Sequence, residues 1–212
     1  MDLIRCKELF GSNFEKIAKT KVIILGAGGV GSFVLDCLYK SGLRDITIVD
    51  YDIYEESNLN RQIGAKNNIG KLKTKALQEQ YPGIRAINQK MDVKWVREFD
   101  FKDFDIVIDA CDTTPVKIEV AKKCYKKLIM ALGSAKRFDF SKIEVSTIFK
   151  THGDALARKI RYELKKAKFN KKFTVVFSSE EPKCKEKGSF VGVTGAFGLA
   201  ICSEVIKKIV NS

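Results

Sequence analysis

Histidine, paired cysteines and long apolar runs are scarce in this sequence. The 212-residue chain has one histidine, His152, which excludes a histidine-rich metal site and leaves a Ser-His-Asp triad one candidate base. Its six cysteines are scattered without a C-x-x-C pair, which excludes a zinc knuckle and a thioredoxin-type dithiol. We therefore expect reduced thiols, no bound zinc and no disulfide framework.

No stretch of the chain is apolar over the length that a membrane span requires. The longest apolar run, Phe190–Cys202, is shorter than the roughly 18 residues needed to cross a bilayer, so it predicts a buried helix. Residues 1–10 lack the apolar core of a secretory signal. The sequence therefore predicts a cytoplasmic protein without a membrane anchor.

Acidic residues are outnumbered by basic ones. The chain has 39 Lys and Arg against 26 Asp and Glu, a net charge of +13, and such a balance favours polyanionic partners, chiefly nucleic acid. Hydrophobic residues make up 45% and charged residues 31%, which is typical of a folded globular protein. The length predicts one domain, residues 1–212, with a sizeable core.

Short β-branched runs alternate with helix-period stretches over the first two-thirds of the chain. Strands are predicted at 22–25, 46–49, 84–87, 106–108 and 128–132. This β-α-β order predicts an α/β fold with a doubly wound, mostly parallel, Rossmann-like sheet. After Gly133 we expect an antiparallel strand at 143–149, a basic helix at 154–168, a strand at 173–177 and a C-terminal helix.

A glycine-rich loop joins the first predicted strand to the following helix. Its glycines, Gly26, Gly28, Gly29 and Gly31, permit a tight turn, a close approach of phosphates to the backbone and an anion at the helix N-terminus. Asp50 ends the second strand, 19 positions after Gly31, where a ribose-binding carboxylate belongs. The pattern predicts a nucleotide site but does not choose between NAD and ATP.

Four further motifs follow the glycine loop: a D-x-D ending at Asp52, an N-L-x-R-Q at 58–62, a G-x-x-K at 70–73 and a D-x-x-D at 109–112. In this order they resemble the ThiF/MoeB/HesA and ubiquitin-activating adenylyltransferases. The resemblance covers essentially the whole chain. It implies a ThiF/MoeB-like fold and adenylation of a carboxylate by ATP with Mg²⁺.

The resemblance also implies a role for each matched residue. Arg61 and Lys73 would contact the triphosphate, and Asp112 would bind Mg²⁺ and be essential for catalysis. Asp50 would hold the ribose hydroxyls and Asn58 would contact the phosphates. The implied nucleotide-binding residues are Gly26, Gly28, Gly29, Gly31, Asp50, Asp52, Asn58, Arg61, Lys73 and Asp112.

These roles fit the chemistry, because in-line attack on an α-phosphate needs charge stabilisation rather than covalent catalysis. The structural alternatives are a surface ion pair for Arg61, one more lysine of a lysine-rich helix for Lys73 and a helix N-cap before Pro115 for Asp112.

Within this family, the sequence more closely resembles one branch, the tRNA threonylcarbamoyladenosine dehydratases. The stretches that carry the similarity are Leu9–Gly11, Asp154–Leu164 and Val176–Glu180. Ala155 stands where that branch has proline, and the loop 181–187 is shorter. The resemblance implies ATP-dependent activation of the threonylcarbamoyl carboxylate next to the anticodon, followed by ring closure. It also implies tRNA and a second copy of the chain as partners and, more weakly, a cysteine desulfurase or sulfur acceptor.

A basic helix supports a nucleic-acid substrate on separate grounds. Residues 158–172 contain eight Lys or Arg and one Glu, while Leu156, Ile160 and Leu164 form a narrow apolar stripe. The pattern predicts an amphipathic helix whose outer face suits phosphates, or else an ordinary solvated lysine-rich helix. The candidate RNA-binding residues are Arg158, Lys159, Arg161, Lys165, Lys166 and Lys168.

Three other functions fit parts of the sequence. An adenylyltransferase for a ubiquitin-like sulfur carrier would need a reactive cysteine, and the lysine-flanked Cys184 is the candidate, although we expect an incidental exposed thiol. An NAD-dependent dehydrogenase would explain Asp50 and the glycines but leaves Arg61, Lys73 and Asp112 without roles. A non-catalytic nucleotide- or RNA-binding scaffold would not need those three residues either.

Overall fold

A seven-stranded sheet forms the centre of the computed structural model, which describes residues 2–186 and 188–211. Its strands are β1 (Val22–Leu25), β2 (Ile46–Asp50), β3 (Arg85–Asn88), β4 (Ile106–Asp109), β5 (Leu128–Ala131), β6 (Ile143–Thr147) and β7 (Thr174–Ser178). The order is β3-β2-β1-β4-β5-β7-β6, with β6 antiparallel to β7 and the other pairs parallel. The predicted doubly wound, mostly parallel sheet is confirmed.

The strands are apolar throughout because both faces of the sheet are covered. In β1, Val22 and Ile24 pack on one face and Ile23 and Leu25 on the other, and all four are fully buried. Such continuous apolar strands are typical of a parallel sheet between two helical layers. The strand predicted at 143–149 ends earlier, at Thr147, because the chain turns into a 3₁₀ helix at Ile148–Lys150.

Eight α-helices surround the sheet in the described part of the chain. They are α1 (Ile4–Phe10), α2 (Phe14–Lys19), α3 (Gly31–Lys40), α4 (Lys73–Gln80), α5 (Val93–Glu98), α6 (Thr114–Cys124), α7 (Ala155–Lys166) and α8 (Val191–Val210). Helices α2, α3, α4 and α8 contribute to one core cluster, and α5, α6 and α7 contribute to the other. None of these helices is long and apolar enough to cross a membrane.

The sequence pattern did not predict α1, α2 and α5, which have six or seven residues each. Helix α1 has no buried residue, and α5 buries Val96 alone, so neither shows an apolar period. Helix α5 begins at a side-chain cap instead: Asp92 accepts a hydrogen bond of 2.7 Å from the Trp95 backbone N–H.

The strand order places a crevice between β1 and β4. The chain leaves β1 toward one side of the sheet and β4 toward the other, and ligands of doubly wound folds bind outside the carboxyl ends of strands at such a point. Leu25 and Asp109, the last residues of the two strands, are paired in register. The glycine loop and the residues after Asp109 therefore lie side by side.

Candidate active site

The glycine loop packs too closely to accept side chains at two positions. Gly26 has a φ of +95°, and a Cβ there would lie 2.9 Å from the Ala110 carbonyl oxygen. A Cβ on Gly31 would collide with the Gly26 carbonyl oxygen. At Gly28 a Cβ would meet only the Gln62 side chain, at 4.0 Å. The loop is thus tight on its protein side and open toward the crevice, as a phosphate cradle requires.

Asp50 holds this loop in place. One of its carboxylate oxygens accepts a hydrogen bond of 2.7 Å from the Ala27 backbone N–H, and the other accepts one of 2.9 Å from the Asp52 N–H. The side chain is buried at the floor of the crevice. Because a carboxylate has about four acceptor positions, Asp50 can still accept hydrogen bonds from ligand hydroxyls.

Lys73 is a buried lysine that forms an ion pair. Its side chain is 6% exposed, and its ammonium lies 2.9 Å from a carboxylate oxygen of Asp52, whose side chain is 47% exposed. Lys73 is the first residue of α4. Both residues line the cleft, so a phosphate bound there would lie near a cation that the fold holds in place.

Arg61 and Asn58 line the same crevice. The Arg61 guanidinium donates to the Ser57 carbonyl at 2.6 Å and to the Asn60 side-chain oxygen at 2.8 Å, and it has no ion pair among the described residues. Asn58 is buried and accepts a hydrogen bond of 3.2 Å from the Glu55 N–H. Arg61 therefore keeps its positive charge available to a ligand.

Asp112 follows β4 and is exposed to the crevice. Its carboxylate accepts a hydrogen bond of 3.3 Å from the Thr113 hydroxyl. The N-cap residue of α6 is Thr113, so the alternative of a helix cap for Asp112 is wrong. A solvent-facing carboxylate with so few partners is suited to bind a cation or to accept hydrogen bonds from a ligand.

A buried ion pair that sequence reasoning missed supports the Asp112 loop. The Lys117 ammonium lies 3.1 Å from Asp109 and donates to the Ala131 carbonyl at 2.8 Å, and both side chains are at most 1% exposed. Asp109 also accepts from the Cys111 N–H at 3.1 Å. The pair thus fixes the ends of β4 and β5 and the loop between Asp109 and α6. The sequence signal was a lysine at a buried position in the apolar stripe of α6.

A second cluster that sequence reasoning missed, around Arg137 and Asp154, also lines the cleft. The buried Arg137 guanidinium donates to the Glu180 carbonyl at 2.7 Å and to the Gly133 carbonyl, and it lies 3.7 Å from Asp154. Asp154 accepts from the Gly133 N–H at 3.0 Å and caps α7 through the Ala157 N–H. No local motif indicates this cluster, because its members come from three separate segments of the chain.

These groups line a cleft of about 800 Å³, which is within the size range of small-molecule sites. All the predicted nucleotide-binding residues line it except Gly31, which stands at the start of α3 behind the loop. Cys111 also lines the cleft. Burial, together with the charge of Asp109, raises the pKa of its thiol, so this cysteine is protonated at neutral pH and a poor nucleophile.

Other sequence candidates lie outside the cleft. Arg158, Lys159, Lys165, Lys166 and Lys168 are exposed on α7 or just after it. Arg161 points inward and donates to the Thr151 carbonyl at 2.9 Å. Cys184 is exposed in the loop 181–187, of which Lys187 lies outside the described residues. His152 is an exposed loop residue 3.3 Å from Glu144.

The fold and the cleft together define the class of the protein. A doubly wound sheet with a glycine loop, a buried carboxylate and two cations at its switch point is typical of nucleotide-binding enzymes. Within that class, the model of the ThiF family matches residues 3–212. The chain belongs to the ThiF family.

Two curated relatives and one solved structure are similar to the chain. It is 35% identical to the tRNA threonylcarbamoyladenosine dehydratase of Bacillus subtilis, over 79% of this chain and 70% of that protein. The enzyme of the same name from Haemophilus influenzae is 28% identical, over 94% and 89%. The E. coli tRNA N6-threonylcarbamoyladenosine dehydratase TcdA, solved in complex with ATP, superposes with a TM-score of 0.93 at 27% identity, covering 99% of this chain and 93% of that one.

Proposed function

We propose that this protein uses ATP to convert threonylcarbamoyladenosine, next to the anticodon of tRNA, into its cyclic form by loss of water. The observation that carries the proposal is the cleft, in which Asp50, Arg61, Lys73 and Asp112 converge around an open glycine loop. The similar dehydratases support the choice of substrate. An NAD-dependent hydride transfer would give Arg61, Lys73 and Asp112 no task.

The reaction begins with attack of the threonylcarbamoyl carboxylate on the α-phosphorus of ATP, which releases pyrophosphate. A second nucleophilic group of the modified adenosine then attacks the activated acyl carbon, closes the ring and expels AMP. Asp50 orients the ribose, and Lys73 and Arg61 stabilise the charge that develops on the phosphates. Because Lys73 is already buried against Asp52, little reorganisation is needed at the transition state.

Asp112 is the residue that would hold Mg²⁺. Among the described residues no three metal-ligating side chains cluster together, and the donor set fits magnesium, which commonly binds one or two carboxylates and completes its shell with substrate phosphates and water. When bound, Mg²⁺ would neutralise phosphate charge. Asp109 does not serve this purpose, since Lys117 already neutralises it in the core.

The remaining expectations belong to the same proposal. The exposed cations of α7 would contact the tRNA backbone, and Ala155 and Leu156 at the start of this helix line the cleft, so RNA bound along α7 can reach the site of chemistry. A cytoplasmic location and a homodimer fit an enzyme of this kind. A sulfur-transferring partner stays a weaker prediction, because only the family resemblance implies it.

The proposal is tested by mass spectrometry of tRNA nucleosides after incubation with the protein and either ATP or NAD. We expect threonylcarbamoyladenosine to lose one water with ATP and to stay unchanged with NAD. If threonylcarbamoyladenosine in the tRNA stays unconverted in the presence of ATP, the assigned reaction is refuted.

A further inference from the structure

A second groove lies beside the C-terminal half of α7, outside the nucleotide cleft. It encloses about 500 Å³ and is lined by Phe149, Arg161, Lys165, Lys168, Phe169 and Asn170. None of these residues lines the nucleotide cleft. Two aromatic rings, three cations and one amide therefore share a concave surface to which the adenylation reaction assigns no task.

The walls of this groove are held by the fold. Phe169 meets Tyr125 edge to face, with ring centroids 5.8 Å apart, and Phe149 packs against the core cluster beneath α6 and α7. Both rings are half-buried, so each keeps part of its surface in the groove. Arg161 is fixed by hydrogen bonds to the carbonyl and hydroxyl oxygens of Thr151.

The cations at the mouth of the groove are free to meet a ligand. Lys165 and Lys168 are exposed and have no ion pair among the described residues. Asn170 offers both a donor and an acceptor, the combination that reads the edge of a base. Aromatic rings next to unpaired cations are the usual surface for single-stranded nucleic acid, since bases stack on rings and phosphates meet the charges.

We propose that this groove is a nucleotide subsite that binds an unpaired nucleotide of the tRNA substrate. Its base would stack against both Phe149 and Phe169, and its phosphate would face Lys165 and Lys168. The inference rests on the proposed function for the identity of the RNA. It adds a contact outside the adenylation cleft that fixes how the RNA lies along α7.

The spacing along α7 suits one continuous strand. Ala155 lines the nucleotide cleft and Lys165 lies ten residues further along the helix, which corresponds to about 15 Å at 1.5 Å per residue. A stacked strand advances about 3.4 Å per nucleotide, so roughly four nucleotides span this distance. The subsite would therefore bind the same unpaired loop that presents the reacting nucleoside.

The test compares Phe149→Leu and Phe169→Leu with Tyr162→Leu. Tyr162 is a matched control because it is 64% exposed on the same helix and does not line the groove. The probe is a short single-stranded oligoadenylate. Each phenylalanine change should weaken binding by roughly 5- to 100-fold without altering the salt dependence, because stacking and not charge is lost. Phe169→Trp, which keeps a ring, should restore the affinity.

Lys165→Gln, unlike the phenylalanine changes, should alter the salt dependence of oligoadenylate binding. It should lower the log-log salt slope by about 0.7. Oligoadenylate affinities for both leucine variants equal to that of the wild type, or a Tyr162→Leu loss as large as theirs, would overturn the subsite. Turnover of tRNA by the wild type is measured separately. If the wild type turns over tRNA but the groove variants bind oligoadenylate as tightly as the wild type does, only the subsite is rejected. If the wild type does not turn over tRNA, the proposed function is rejected.

Discussion

The nucleotide cleft and the basic helix hold their charged groups in different ways. In and beneath the cleft, Asp50, Lys73 and Lys117 are buried, and each has a hydrogen-bonded partner within about 3 Å. On α7, Arg158 and Lys159 are exposed and have no ion pair among the described residues. A fixed buried charge orients a reacting group, whereas an exposed charge supplies attraction without orientation. We therefore expect the cleft to carry out the chemistry and the helix to contribute affinity for RNA.

Removal of the Asp112 carboxylate should have the largest effect on activity. Asp112→Ala is expected to lower kcat by roughly a thousandfold, since losing a metal-organising group costs several kcal/mol at the transition state. The residue is exposed, so the melting temperature should not change. Single-turnover kinetics with tRNA checks the rate, and activity within about tenfold of the wild type would disprove the role.

Breaking the Lys117–Asp109 pair should instead lower stability. Lys117→Met leaves a carboxylate uncompensated in the core, which commonly costs about 3–5 kcal/mol. Denaturant unfolding measures the change. The matched control is Lys159→Met on exposed α7, which should stay within about 0.5 kcal/mol of the wild type. If the two changes lower the free energy of unfolding equally, the buried lysine of the cleft region is no more important for stability than an exposed lysine of α7.

The exposed cations of α7 should make tRNA binding depend on salt concentration. Changing Arg158, Lys159 and Lys166 to Gln is expected to raise KM for tRNA and to flatten the log-log salt slope of binding by about two to three units, because each phosphate contact releases counterions. ATP affinity without RNA should barely move. Unchanged tRNA affinity and salt slope would make α7 an ordinary solvated helix.

Cys184→Ser should have the smallest effect. The thiol is exposed, and its sulfur is 3.5 Å from the Glu186 carbonyl, outside the set of groups that line the cleft. Dehydration needs no covalent intermediate on the protein, so the turnover rate should match that of the wild type. An inactive variant would favour the sulfur-carrier reading of the family.

The two regions also differ in how well the sequence predicts them. The glycine loop, Asp50 and Asp112 follow strand ends at motif spacing, so short-range patterns located them in the crevice. Lys117 contacts Ala131, 14 residues away, and Arg137 contacts Glu180, 43 residues away. Such contacts depend on how strands line up, which no local pattern encodes. In the sequence Arg161 is one more cation of the basic helix α7. Its inward position is seen only in the packing, where it donates to the Thr151 carbonyl.

The central claim is that the cleft adenylates a carboxylate. Its most direct test uses tRNA whose threonylcarbamoyl carboxylate carries ¹⁸O, with mass spectrometry of the released nucleotide. Attack of that carboxylate on the α-phosphorus, followed by ring closure at the acyl carbon, transfers one carboxylate oxygen to AMP. We expect one ¹⁸O in AMP for each cyclic nucleoside formed. Label found in inorganic phosphate, with ADP as the product, would contradict it.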